Sequence, residues 1–119
     1  MMFQERLRQL TERIDGALAV SLVAQDGIPV ESFGHQEAGL DVDALAAELL
    51  AQTRSISDDH REIELGEVRQ FSITTDRYTI VVSALAEGYY LLLVLGPEGI
   101  YGKARFELRR AILQFEDDL

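Results

Sequence analysis

Seven consecutive residues, Tyr89–Leu95 (YYLLLVL), carry no charge and stand between Glu87-Gly88 and Gly96-Pro97. A run this short and this apolar, closed at both ends by turn residues, reads as a β-strand. Side chains of a strand alternate between the two faces of its sheet. A strand apolar at every position is therefore covered on both faces. Ala17–Ala24 (ALAVSLVA) is nearly as apolar and makes the same demand. These two strands belong at the centre of a sheet that has helices on both sides.

The other segments supply the layers. Phe3, Leu7, Leu10 and Ile14 recur at helical spacing, with polar residues between them, and predict a first helix with one buried stripe. Gly16 suits its C-terminal cap. Asp26-Gly27 after the first strand predicts a two-residue hairpin, with Ile28–Phe33 as the return strand. Pro29 cannot donate to a ladder and places that strand at a sheet edge. Gly34–Leu40 reads as a loop. Asp41 or Asp43 caps a middle helix running to about Ser55. Glu67–Thr75, Tyr78–Leu85 and Tyr89–Leu95 follow as strands, joined by turns at Asp76-Arg77 and Glu87-Gly88. Short turns make neighbouring strands antiparallel. After Gly96-Pro97-Glu98-Gly99 a final helix carries Ala104, Leu108, Ala111, Ile112 and Phe115 on one face. Its acidic end, Glu116-Asp117-Asp118, opposes the helix dipole and is expected to fray. The 119 residues make one domain, 1–119, of α+β class in the order α-β-β-α-β-β-β-α.

Charge narrows the function. The net charge of −10 argues against nucleic acid, whose binders present basic patches. No apolar run approaches the roughly 20 residues needed to cross a bilayer, so no membrane insertion is expected. Met1–Leu10 lacks the unbroken apolar core of a signal peptide, and the expected location is cytoplasmic. With no cysteine, neither disulfides nor thiolate metal sites arise. Arg6, Arg8, Arg13, Lys103, Arg105, Arg109 and Arg110 lie in the two terminal segments, whereas acids dominate Asp26–Glu67. Terminal helices folded onto one side would give one mixed-charge face and one acidic face.

Two helix faces stand out. On the middle helix Val42, Leu45, Ala46, Leu49, Leu50, Thr53 and Ile56 form the core stripe. The opposite face carries Ala44, Ala47, Ala51 and Ser55, flanked by Glu48. Small residues in a row allow another helix to approach closely, although alanine is also simply the best helix former. On the final helix Phe106 and Leu113 fall outside the core stripe and hint at a further contact surface.

Catalytic chemistry finds little purchase. Gly96 and Gly102 are separated by five residues, whereas a phosphate-binding loop needs four and then Lys-Ser/Thr; Ala104 stands where its hydroxyl would be. His35 and His60 lack a second histidine at ligand spacing and read as surface side chains. No nucleophile elbow is present, and no cofactor or metal is expected. Tyr78, Tyr89, Tyr90 and Tyr101 could line a small-molecule pocket, though sheet packing accounts for them as well.

The stretch Leu65–Leu95 (LGEVRQFSITTDRYTIVVSALAEGYYLLLVL), the Ala17–Phe33 hairpin, DVDALAAELL at 41–50 and GKARFELRRA at 102–111 together resemble the roadblock/LC7 family. The likeness covers nearly the whole chain and includes the bacterial MglB-type regulators of Ras-like GTPases. It implies a five-stranded antiparallel sheet with one helix on one face and two on the other. It also implies a homodimer in which the middle helices pack side by side and the third strands join the two sheets. The interface would then comprise Ala44, Ala47, Glu48, Ala51 and Ser55 with Val68, Arg69, Gln70, Phe71 and Ser72. The implied function is a non-enzymatic platform that docks and regulates a Ras-like GTPase. The alternatives are a structural scaffold subunit without effect on nucleotide turnover, or a PAS- or profilin-like ligand-sensing domain.

Overall fold

A computed structural model describes residues 2–34, 41–59 and 66–118. Residues 35–40 of the loop expected at Gly34–Leu40, residues 60–65, and with them His35 and His60, lie outside the described residues; Gly34 ends a strand, and the middle helix, expected to stop near Ser55, runs on to Asp59. The elements are α1 (Met2–Arg13), β1 (Ala17–Val23), β2 (Pro29–Gly34), α2 (Val42–Asp59), β3 (Gln70–Thr74), β4 (Thr79–Ala84), β5 (Tyr90–Leu95) and α3 (Tyr101–Asp118). All pairings are antiparallel, and the strands lie in the order β2-β1-β5-β4-β3. The apolar strands β1 and β5 are interior, and β2, with its proline, is an edge.

Strand β5 satisfies its demand for two covered faces directly. Leu91, Leu93 and Leu95 enter one core with Leu7, Leu10, Leu108 and Phe115 of α1 and α3. Leu92 and Val94 enter a second core with Ala46, Leu49 and Leu50 of α2. One helix therefore covers one face of the sheet and two cover the other, as the sequence resemblance implies. Because α1 and α3 share a layer, the seven basic residues of the terminal segments gather on that side. Arg8 there binds Glu5 and Glu12, and its hydrogen bond holds the Glu5 carboxyl below the usual range.

Gly16 joins α1 to β1 with φ +84, and the N–H of Gly96 donates to its carbonyl at 2.8 Å. A Cβ on Gly16 would stand 2.4 Å from the nitrogen of Gly99. This close backbone approach pins the start of β1 to the loop that launches α3.

Three expectations need correction. The first hairpin has a three-residue loop, Gln25-Asp26-Gly27. Ala24 N–H donates to the Ile28 carbonyl and Gly27 N–H to the Ala24 carbonyl, while Asp26 Oδ1 accepts from Ile28 N–H at 3.0 Å. Gly27 takes the left-handed conformation, φ +88, that closes a turn of this kind with a bulge. Strand β3 is shorter than expected. Its last bond joins Ala84 N–H to the Arg69 carbonyl, and β4 ends there, so Glu67 and Val68 have no strand to pair with. Finally, α3 does not fray before its acids; it runs through Asp118. Buried Phe115, stacked on Phe3 at 6.0 Å, anchors the last turn.

Candidate functional site

Helix α2 begins at a side-chain cap. Asp41 Oδ1 accepts from Ala44 N–H at 3.1 Å, satisfying one of the free donors of the first turn. The helix then buries Ala46, Leu49, Leu50 and Thr53, and the Thr53 hydroxyl donates to the Leu49 carbonyl at 2.8 Å. Ala44, Ala47, Glu48, Ala51 and Ser55 are exposed. The helix thus presents a wet face built largely of methyl groups, with Glu48 and Gln52 in contact at its rim. Part of that smallness is used within the chain. A Cβ on Gly27 would lie 3.7 Å from the Ala47 Cα, so the β1–β2 loop passes close beside α2 at Ala47.

Strand β3 is the other edge of the sheet. Among the described residues it pairs with β4 alone, in unbroken register from Gln70↔Ser83 to Thr74↔Thr79. Gln70, Ser72 and Thr74 are exposed, and Phe71 is half-buried against the core beneath α2. Of the residues expected on this edge, Gln70, Phe71 and Ser72 are in the strand. Val68 and Arg69 precede it, so the charge of Arg69 stands outside the strand. Ile73 was not among the expected edge residues. It is 37% exposed and, by strand alternation, lies on the Phe71 side of the sheet. Its alternation with Phe71 was visible in the sequence, but its exposure depends on α2 leaving the end of β3 uncovered. Phe71 packs against the core that α2 shares with β1, β4 and β5.

On the opposite layer Phe106 and Leu113 are 61% and 67% exposed. They do not pack against α1. The Arg110 guanidinium lies over the Phe106 ring at 5.9 Å and 3.6 Å from Glu107. Phe106 and Leu113 are seven residues apart, hence stacked on one line of the helix about 10 Å from each other.

Elsewhere, an open cleft between the β1–β2 and β4–β5 loops is lined by Ala24, Gln25, Asp26, Glu87 and Tyr89. No group of three or more potential metal ligands occurs among the described residues. Within them, no helix is long and apolar enough to cross a membrane. The Gly96–Gly99 segment, compared above with a phosphate loop, is a turn closed by Gly99 N–H on the Gly96 carbonyl and packed against Gly16.

Comparison with known proteins agrees with this geometry. The family model described as the Roadblock/LC7 domain matches residues 3–95. MglC from Myxococcus xanthus is 30% identical, with TM-score 0.72 and coverage of 100% of both chains. MglB from Myxococcus xanthus is 16% identical, with TM-score 0.86 and coverage of 98% of this chain and 94% of that one. A Roadblock/LC7 domain from Streptomyces avermitilis is 18% identical, with TM-score 0.84 and coverage of 96% and 94%. The last two likenesses concern the fold alone. None of the curated proteins matches the chain.

Proposed function

The chain belongs to the Roadblock/LC7 family, and from that premise we propose that it is a homodimeric, non-enzymatic platform that docks and regulates a Ras-like GTPase in the cytoplasm. What supports the dimer is the presence of two open surfaces, the β3 edge and the small-residue face of α2. An uncharged, regularly paired edge strand offers unused backbone groups to another strand. The methyl face of α2 lets a second helix come close. Ala44, Ala47, Glu48, Ala51 and Ser55 form the helical part of this interface. Gln70, Phe71 and Ser72 form the strand part, Val68 and Arg69 lead into it, and Ile73 extends it. Phe106 and Leu113 lie on the other layer and form a separate binding surface.

The GTPase reading is supported by likeness to MglC along the whole chain and by the resemblance of the sequence to MglB-type regulators. Regulation then works through contact, by shaping the GTPase's own site. The test is to isolate GTPases retained by the chain from its native cytosol and measure their GTP turnover with and without it. A bound Ras-like GTPase whose turnover changes supports the reading. Binding with unchanged turnover replaces it with the scaffold alternative, and retention of no GTPase overturns it.

A further inference from the structure

The outer face of α3 is complementary to itself. Phe106 and Leu113 run down its middle, exposed. Arg109 and Arg110 lie on the two sides of that line, and all four residues from Arg109 and Arg110 to Glu116 and Asp117 are exposed. At about 100° per residue, positions seven apart differ by only about 20°. Glu116 therefore lies on the same flank as Arg109, and Asp117 on the same flank as Arg110. A two-fold axis through Leu113, perpendicular to the helix, turns a second α3 antiparallel to the first and keeps each flank against the same flank. Position 109 of one copy then faces position 117 of the other within one residue of 116, and position 110 faces position 116 within one residue of 117.

We propose that a second copy of the chain docks on this face, α3 against α3, centred on Leu113. Leu113 meets its own counterpart. Arg109 of each copy reaches Glu116 of the other, and Arg110 reaches Asp117 of the other. A contact of this kind is isologous and closes on itself. Antiparallel packing also sets the helix dipoles head to tail.

The small α2 residues lie across the sheet from this face, and β3 meets α3 at the helix start, where the Tyr101 hydroxyl donates to Ser72 Oγ at 3.4 Å, about 18 Å along the helix from Leu113; the contact centred on Leu113 uses neither part of the proposed dimer. Both together give a dimer of dimers.

Sedimentation equilibrium on single variants separates the two contacts. Ala51→Arg blocks the α2 face, and this protein is expected to remain a monomer–dimer system through α3. Adding Leu113→Asp should make it monomeric. In the same Ala51→Arg background, Arg109→Glu with Arg110→Glu, or Glu116→Arg with Asp117→Arg, should each weaken association at least about tenfold. An equimolar mixture of those two variants restores every opposite-charge pair and should recover it. Raising salt to 0.5 M, roughly where screening becomes short-ranged, should weaken the unaltered contact. The inference is overturned if Ala51→Arg is monomeric at all concentrations, if Leu113→Asp leaves the association unchanged, or if the mixture fails to recover it. Leu113→Asp in the otherwise unaltered chain tests the other contact: a dimer upholds the α2–β3 reading and a monomer removes it.

Discussion

Gly16→Ala is expected to be among the most destabilising single-methyl changes in the molecule. Two costs add. Position 16 has φ +84, a region where an L side chain costs about 1–2 kcal/mol. The new methyl would also sit 2.4, 2.5 and 2.9 Å from the Gly99 nitrogen, the Gly99 Cα and the Glu98 carbonyl carbon. These are backbone atoms and cannot swing aside as a flexible side chain does. Forcing a methyl into a filled site costs about 1–3 kcal/mol more. The Gly96 N–H bond to the Gly16 carbonyl is strained by any retreat of the loop. The expected loss is about 2–5 kcal/mol.

Gly102→Ala is the control. It is the same substitution in the same chain, but nothing lies within 4 Å of its added Cβ and the residue is helical. There alanine should stabilise by up to about 1 kcal/mol. Urea unfolding followed by far-ultraviolet circular dichroism reads both. With a slope of about 1–3 kcal/mol per molar, the Gly16→Ala midpoint should fall by about 1–2 M while that of Gly102→Ala holds or rises. A loss under about 1 kcal/mol at position 16, or equal losses at both positions, would refute the close approach of the two loops.

Three further outcomes are expected. Ala47→Glu with Ala51→Glu should split the proposed α2–β3 dimer, because a dry contact between methyl groups cannot take in unpaired charge; light scattering on a column gives the mass, and an unchanged dimer places the interface elsewhere. Phe115→Ala should cost about 3–5 kcal/mol, since this ring is buried and stacked on Phe3, and should unwind the acidic end of α3, visible as rapid amide exchange beyond position 112. Arg8→Ala should return the Glu5 carboxyl toward its ordinary pKa, followed by NMR titration; because Arg8 depresses that pKa, the stabilisation it gives is present above the ordinary carboxylate range and fades as pH falls through the depressed value.

Where the sequence was legible, a local rule and a global demand coincided. Tyr89–Leu95 required two covered faces, and β5 supplies Leu93 to one core and Leu92 to the other. Pro29 required an edge, and β2 is one. The alternation of methyl and aliphatic positions on α2 separated exposed Ala44, Ala47 and Ala51 from buried Ala46, Leu49 and Leu50, while the side chain of Ile56, expected in the same stripe, lies outside the described residues. The misread boundaries were set by partners distant in sequence. The end of β3 depends on where β4 stops. The last turn of α3 depends on Phe3, more than a hundred residues earlier. The exposure of Ile73 depends on where α2 lies over the sheet, which no spacing within β3 records. The candidate surfaces on α2 and α3 followed from composition at helical spacing, whereas the edge residues came by resemblance and carried the boundary error with them.

That boundary error bears on how the molecule avoids or invites association. A sheet with two edges can aggregate through either, and edges are commonly guarded by proline, bulges or charge. Edge β2 has all three: Pro29 lacks a donor, its register with β1 shifts between Leu22 and Val23, and Glu31 is at its middle. Edge β3, once Arg69 is placed outside it, has none of them. Gln70–Thr74 is uncharged and its register with β4 is unbroken. A selective guard on one edge makes sense if the other is meant to be joined. The proposed dimer therefore predicts an asymmetry that aggregation alone does not. Ser72→Pro or Ser72→Lys on β3, where the Ser72 N–H faces away from β4, should abolish sheet-to-sheet pairing while the chain stays folded and soluble. Pro29→Val on β2, which restores a donor, should leave the dimer intact and add slow, concentration-dependent aggregation, measured by light scattering over days. If removal of Pro29 instead left solubility unchanged and lysine in β3 left the dimer whole, the difference between the two edges would have no part in assembly, and the α2 face alone would have to hold the copies together.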